Sequence, residues 1–386
     1  MKFLHMSDLH FGKGDYTAQV AIREFARAFE LLNESGYDSF HYMFVTGDLL
    51  YGPIYHNADK EDRSRIVEAL RETITSLATM TGVQCKNIFI VPGNHDAKRG
   101  EARERICKPI CGSYATDVGI TPAQSREMSQ AFEGYIEIYQ AIMGKEPTLT
   151  PYLTECNDIN VLALNTALSS FGDFDEGHLI IDMKNVHSEF MRHDKTKPLI
   201  IIGHHPLENL VPGDKEQLLE LLRDCNKALY LCGHEHGTKR LDLNGIPQMK
   251  CGTLMSRNRD NSYTDMQFYA GKLDNACIGE VLAIKWDRRF NIWLPDSGVS
   301  YAYHKKMDGK RLVNQSDENK TYRELCATIE NGSSYTAQEL TRQIKKYFST
   351  VSPIKAQLLS DGVIKREGKD TFRVLGKPKK DSENHE

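Results

Sequence analysis

A short apolar run, Asn87-Ile88-Phe89-Ile90-Val91, stops at Pro92-Gly93 and then presents an amide, an imidazole and a carboxylate in succession, Asn94-His95-Asp96. The run is rich in β-branched residues, as expected of a strand covered on both faces. The same arrangement recurs along the chain. Asp8-x-His10 follows a strand read over Lys2 to Met6, and Gly47-Asp48 ends one over Tyr42 to Thr46. Gly203-His204-His205 ends a strand at Leu199 to Ile202, and Gly233-His234-x-His236 ends one at Leu229 to Cys232. Ligands of open α/β sheets gather at the carboxyl ends of strands. Five such loops therefore predict one crevice.

Between these strands the spacing turns helical. Val20, Ile22, Phe25, Phe29 and Leu32 mark a helix over Ala18 to Asn33, with Gly36 as a stop, and a second helix runs from about Asp62 to Met80. This β-α-β-α-β order predicts a largely parallel, buried sheet with helical crossovers. Residues 98–145 carry no strand signal and read as a helical insert. A strand at Ile159 to Leu164 and helices at Asp182 to His193 and Lys215 to Arg223 follow. Short strands from Arg240 to Leu294, separated by Gly, Asn or Asp turns, then predict a second, mostly antiparallel sheet. Residues 305–320 read as a polar linker and 379–386 as a polar tail. Between them, residues 321–378 pattern as helices at Tyr322 to Glu330, Ala337 to Phe348 and Ser352 to Leu359, then a hairpin at Val363 to Arg366 and Thr371 to Leu375. Thr336 and Glu339 form a capping box for the second of these helices. Three helices and a hairpin make a winged helix-turn-helix pattern.

A chain of 386 residues, 40% hydrophobic, can bury a large core and divide into two domains. No stretch approaches the roughly 18 apolar residues needed to span a bilayer, and the N-terminus lacks the pattern of a signal peptide. Nine cysteines without framework spacing fit a reducing compartment, so the expectation is a cytoplasmic protein. The net charge of −4 hides an uneven balance: residues 1–304 are acidic and 305–380 basic. A basic module on an acidic body bears on partners rather than on fold.

The strand-end loops offer carboxylates, imidazoles and one amide, with no thiolate among them. That mix suits Mn²⁺, Fe²⁺ or Zn²⁺. One carboxylate can bridge two cations, and a pair held roughly 3.5–4 Å apart can activate a water and steady a phosphoryl transition state. The order D-x-H, G-D, G-N-H-D, G-H-H, G-H-x-H resembles that of the calcineurin-like binuclear metallophosphoesterases, over residues 1 to about 300. The resemblance implies a four-layer α/β/β/α sandwich across 1–304, with the winged-helix-like module appended. It implies two divalent ions, Mn²⁺ favoured and Fe²⁺ or Zn²⁺ as alternatives. Asp8, His10 and His236 would hold the first, Asn94, His204 and His234 the second, and Asp48 would bridge them. His95 would reach the substrate phosphate or protonate the leaving oxygen, oriented by Asp96. His5, inside the first strand, reads as a packed core residue, and His205, followed by Pro206, stays outside the ligand set.

Arg99 and Arg103 follow Asp96 closely and are candidates for substrate phosphates; solvated helix-start positions are the alternative. Three functions compete. A nuclease reading draws on the basic module, with Lys355 and Gln357 on its third helix and Lys365, Arg366, Lys369 and Arg373 at its hairpin facing a nucleic-acid backbone. Gly47-Asp48-Leu49-Leu50-Tyr51 departs from the strand-break-repair nuclease pattern, whereas Gly203-His204-His205-Pro206 looks more like phosphodiesterases of cyclic or small nucleotides. In the third reading the chain is a regulatory scaffold whose winged helix binds protein. Relatives that dimerise or join ATPases make a homodimer or an ATPase partner an open expectation.

Overall fold

The computed structural model describes residues 1–303 apart from 14–16, 173–175, 224, 226–227, 238, 244–245, 255–265, 274–278, 288–291 and 296–300, and beyond them 334–336, 339–340, 342–343, 364–366 and 371–374. The chain divides into two compact units, Met1–Lys305 and Lys306–Glu386.

The first unit runs β1 (Lys2–Met6), α1 (Ala18–Glu34), β2 (Tyr42–Thr46), α2 (Gly52–Tyr55), α3 (Lys60–Thr81), β3 (Ile88–Val91), α4 (Glu101–Ser113), α5 (Pro122–Ser129) and α6 (Glu133–Met143). It continues with β4 (Tyr152–Glu155), β5 (Asn160–Ala163), α7 (Met183–Phe190), β6 (Leu199–Ile202), α8 (Pro212–Arg223), β7 (Ala228–Cys232), β8 (Lys239–Leu243) and β9 (Ile246–Lys250). Four strands close it: β10 (Gln267–Leu273), β11 (Gly279–Asp287), β12 (Ile292–Pro295) and β13 (Tyr301–Tyr303). Local chemistry sets the helix ends. Thr17 caps α1 by accepting the Val20 N–H at 3.3 Å, and Asp59 caps α3 by accepting that of Asp62 at 2.9 Å. Gly82 ends α3 at φ +73°, a conformation open to glycine without cost.

Two sheets result, ordered β12-β11-β10-β1-β2-β3, with β13 on β11, and β4-β5-β6-β7-β9-β8. In the first, β1, β2 and β3 are parallel and β10 lies antiparallel on the free edge of β1. In the second, β5, β6, β7 and β9 are parallel, and β4 and β8 antiparallel at the edges. The expected division into one parallel and one antiparallel sheet is therefore corrected. The late strands extend the N-terminal sheet, while the β8–β9 hairpin joins the second. Alternation along a strand reports which faces are buried, and not which sheet edge receives it.

The alternation itself is regular. Val161, Ala163, Ile200, Ile202, Leu229 and Leu231 join one core with Phe3, Phe44 and the inner faces of α1 and α3. Their neighbours Leu162, Leu199, Ile201, Ala228 and Tyr230 pack instead with Val186 and Phe190 of α7 and Leu218 and Leu222 of α8. Buried faces on both sides of the second sheet give the α/β/β/α layering, at about 1.5–3 kcal/mol for each large apolar side chain fully buried. Parallel strands share their direction, so β1, β2 and β3 deliver their following loops to one end of the first sheet, and β6 and β7 do the same for the second.

In the second unit β14 (Ser334–Thr336), β15 (Ile364–Arg366) and β16 (Thr371–Val374) form an antiparallel sheet ordered β14-β16-β15. The β15–β16 pair is the expected hairpin, and β14 is an additional strand. Thr336 and Glu339 form the expected box: the Glu339 N–H donates to Thr336 Oγ1 at 3.2 Å, and the Thr336 N–H to Glu339 Oε2 at 2.8 Å. The helices expected at 322–330 and 352–359, the linker and the tail lie outside the described residues. Among the described residues no helix is long and apolar enough to cross a membrane.

Candidate metal centre

The five strand-end loops converge. Donor atoms of Asp8, His10 and His236 lie within 4.8 Å of one another, as do those of Asp8, Asp48 and His204. His10 Nε2 and His236 Nε2 stand 3.0 Å apart, and His236 Nε2 is 3.2 Å from Asp8 Oδ1. On the other side, Asn94 Oδ1 is 2.9 Å from His204 Nε2 and 3.1 Å from His234 Nδ1. Asp48 Oδ2 lies between the two sets, 3.4 Å from His204 Nε2 and 4.0 Å from His10 Nε2. The His204 Nδ1–H donates to the Thr46 carbonyl at 2.8 Å, which turns Nε2 toward Asp48.

The main chain is bent to make this possible. Six non-glycine residues among those described have positive φ, and five of them are in the expected ligand set: Asp8 (54°), His10 (49°), Asp48 (51°), His234 (73°) and His236 (53°). Each such position costs on the order of 1 kcal/mol or more and persists where the surroundings impose it. Glycines let the loops close. A Cβ on Gly93 would lie 2.2 Å from Asp48 Oδ1, and one on Gly233 2.4 Å from Asp8 Oδ2.

The charges fit divalent cations. Asp8 and Asp48 are buried, and Asp8 Oδ1 has His236 Nε2 beside it at 3.2 Å. Burial alone would raise the Asp48 carboxyl, but His204, His10 and His95 outweigh it and hold it well below its ordinary value. Burial lowers His204, yet the Asp48 carboxylate wins and lifts it to about 9. Two carboxylates withdrawn from water among nitrogen donors call for positive charge. With oxygen and imidazole donors and no thiolate, the residues present suit a pair of hard to borderline cations.

A family model for calcineurin-like phosphoesterases matches residues 1–238. The chain belongs to this family. Members of the calcineurin-like phosphoesterase family use divalent metals. The metallophosphoesterase-like protein YydB of Bacillus subtilis is 25% identical over 311 residues, covering 76% of this chain and 61% of that protein. This chain thus spans less than two thirds of that relative's length. Among solved structures, a predicted phosphoesterase from Streptococcus pneumoniae TIGR4 is 13% identical, with 79% of this chain and 97% of that chain covered and a TM-score of 0.30. GAP50 of Plasmodium is 14% identical, covering 81% and 90%, with a TM-score of 0.37.

Within this calcineurin-like centre, several side chains depart from their expected places. Asp96 does not orient His95. Its Oδ2 accepts the N–H groups of Gly93 (2.8 Å) and Leu49 (3.3 Å), and its Oδ1 that of Leu50 (2.9 Å). It ties the Gly47-Asp48 loop to the Gly93-Asn94 loop, and burial followed by the charge of Asp48 pushes its carboxyl up to about 7. His95 is half-buried, its Nδ1 has no hydrogen-bond partner among the described residues, and burial lowers it to about 4. Arg103 is no substrate group either. Only 4% exposed, its guanidinium donates to the carbonyls of Ser170 (2.5 Å), Met128 (2.8 Å), Ala167 (3.1 Å) and Leu168 (2.8 Å). It is a buried clamp between the helical insert and the loop after β5. Arg99 is half-exposed, and its charge lowers both His95 and His205. His5, as expected, is buried, with Nε2 2.9 Å from Thr46 Oγ1.

Two residues outside the expected set belong to the same cluster. His205 places a ring nitrogen within 4.8 Å of those of His204 and His234, while its Nδ1 lies 3.0 Å from Thr166 Oγ1. Tyr51 stacks on His95. Adjacency to Asp48 in sequence was the one signal for Tyr51, and the doubled His for His205. Of the basic residues on the second unit, Lys365 and Arg373 are exposed and directly paired across β15 and β16. Arg366 lies on β15, and Lys355 and Lys369 fall outside the described residues.

Proposed function

We propose that this chain is a phosphodiesterase that cleaves nucleic-acid or nucleotide phosphodiesters with two divalent cations, Mn²⁺ foremost. The observation that carries the reading is the place of Asp48, with one carboxylate oxygen within reach of donors from both ligand sets. Asp8, His10 and His236 would hold one cation, Asn94, His204 and His234 the other, and Asp48 would link them. Cations held by these residues would supply Lewis acidity toward the phosphoryl oxygens and would lower the pKa of a water for attack. Asn94 contributes a neutral oxygen, which leaves net positive charge to attract a phosphodiester anion. His95, beside His10 and Asp48, is the group to contact the substrate phosphate or pass a proton to the leaving oxygen, a contribution of about 10²–10⁴ in rate. Arg99 is the candidate phosphate grip at the rim.

The preference for a nucleic-acid or nucleotide substrate is supported by the charge of the second unit. A basic, winged-helix-like module with Lys365 and Arg373 side by side on an exposed sheet face suits a phosphate backbone. The test is a chelated, purified protein assayed with and without Mn²⁺ against single-stranded DNA, duplex DNA, RNA, cyclic nucleotides and a bis-aryl phosphate. Cleavage of a polynucleotide that appears only with metal is the expected result. Cleavage confined to cyclic nucleotides would remove the polymeric substrate, and inertness toward all would remove the activity.

A further inference from the structure

Among the described residues no hydrogen bond fixes the ring of His95. Its Nδ1 is buried without a partner among the described residues, and the Asp96 carboxylate is committed to three backbone N–H groups. The main chain of His95 is well held. Its N–H donates to Asp48 Oδ1 at 2.8 Å, the His56 side chain hydrogen-bonds its carbonyl, and that carbonyl lies so near Gly52 that a Cβ there would approach to 2.5 Å. These contacts fix the backbone but leave the rotation of the imidazole undetermined.

Two rings lie against it. Tyr51 stacks on the imidazole with centroids 5.4 Å apart and planes 18° apart. His10 meets His95 edge-on at 5.0 Å and 85°, and meets Tyr51 edge-on at 5.9 Å and 84°. Lys13 braces the assembly, its Nζ lying 5.2 Å from the Tyr51 centroid. His10 belongs to a ligand set, so Tyr51 is the member of the trio with no donor duty.

We infer that Tyr51 is a positioning residue: its ring fixes the plane of the His95 imidazole, the task expected of Asp96. The inference rests on the phosphodiesterase reading above and assigns a specific part of it. Offset stacking between aromatic rings is selective for a flat partner, so phenylalanine can replace tyrosine here and leucine cannot.

The test is a cycle of four proteins with Tyr51→Phe as control. On a diester with a poor leaving group, Tyr51→Leu should lower kcat about tenfold, with KM and metal content unchanged, and Tyr51→Phe should restore it. In a His95→Ala background, Tyr51→Leu should add nothing, because the two act as a unit. Full activity in Tyr51→Leu, an equal loss in both backgrounds, or a change confined to KM would each overturn the inference. Crystal structures of Tyr51→Phe and Tyr51→Leu decide it without turnover: one His95 ring orientation in the first and a displaced or multiple orientation in the second. A wild-type protein inert toward every diester would end the hydrolase reading, and the His95 orientation would still decide the role of Tyr51.

Discussion

His10 Nε2 and His236 Nε2 face each other at 3.0 Å although 226 positions separate them in sequence. Both residues adopt positive φ to get there. Two imidazole nitrogens aimed at one point, with the buried Asp8 carboxylate beside them, repel unless a proton or cation lies between. A bound cation should therefore stabilise the fold as well as serve chemistry. Ligand that binds only the native state adds about 2.7 kcal/mol at a concentration of one hundred times Kd. Thermal melts in EDTA and in saturating Mn²⁺ should differ by several degrees, with Mn²⁺ the higher. Coincident melts would contradict the convergence of these donors on a metal.

Replacing Asp48 and His95 should separate holding metal from using it. Asp48→Ala removes the carboxylate shared by both ligand sets, so metal per chain and activity should fall together. His95→Ala should keep its metal and lose about 10²–10⁴ in kcat. Elemental analysis beside steady-state rates reads both quantities. An empty site in His95→Ala would make His95 a ligand.

Asp96→Asn tests the corrected role of that carboxylate. Three backbone N–H groups point at its oxygens, and an amide would turn its own donors against at least one of them. The expected cost is about 1–3 kcal/mol of stability, read by denaturant melts. At saturating metal the folded variant should keep far more activity than His95→Ala. A loss matching His95→Ala with an unchanged melt would return Asp96 to an orienting role.

The site was largely legible because its chemistry is local to each loop. Gly47-Asp48 and Gly233-His234-x-His236 announce themselves wherever a strand ends, and strand direction brings such ends together. What sequence could not convey is where side chains turn once there. Asp96 follows His95 directly, which suggests a pair, yet the turn aims its carboxylate back at Leu49, Leu50 and Gly93. Arg103 reads as a helix-start cation, yet α4 carries it inward, where its guanidinium donates to four backbone carbonyls rather than to a phosphate. The sheet assignment of β10 failed for a related reason. Its apolar pattern fits any covered edge, and only the free edge of β1 decides the matter.

A pH-dependent strain lies away from the metal loops. Asp182 and Asp214 are both buried, burial raises both carboxyls, and the charge of Asp182 further raises Asp214. A raised native value means that the folded state holds its proton more tightly than the unfolded chain. The associated stability is complete below the unfolded carboxylate value of about 3.9 and is lost as pH rises through the native one. Asp182→Asn keeps a residue that tolerates φ +53° and removes one of the two charges. Relative to wild type, its stability should therefore improve from pH 4 to pH 7. Urea melts at the two pH values check this, and a constant difference would refute it.

Arg103 supplies the last expectation. Four carbonyls from two segments accept its guanidinium, and its charge lies 5.3 Å from the Phe132 ring centroid. Arg103→Ala should destabilise the first unit by roughly 2–4 kcal/mol, since buried acceptors lose charged donors and a cavity opens. Arg103→Lys should recover little, because an ammonium cannot reproduce the fork that spans both segments. If Arg103 instead gripped substrate, Arg103→Ala would raise KM and leave the melt unchanged. Denaturant melts and KM measured on the same preparations distinguish the clamp from the grip.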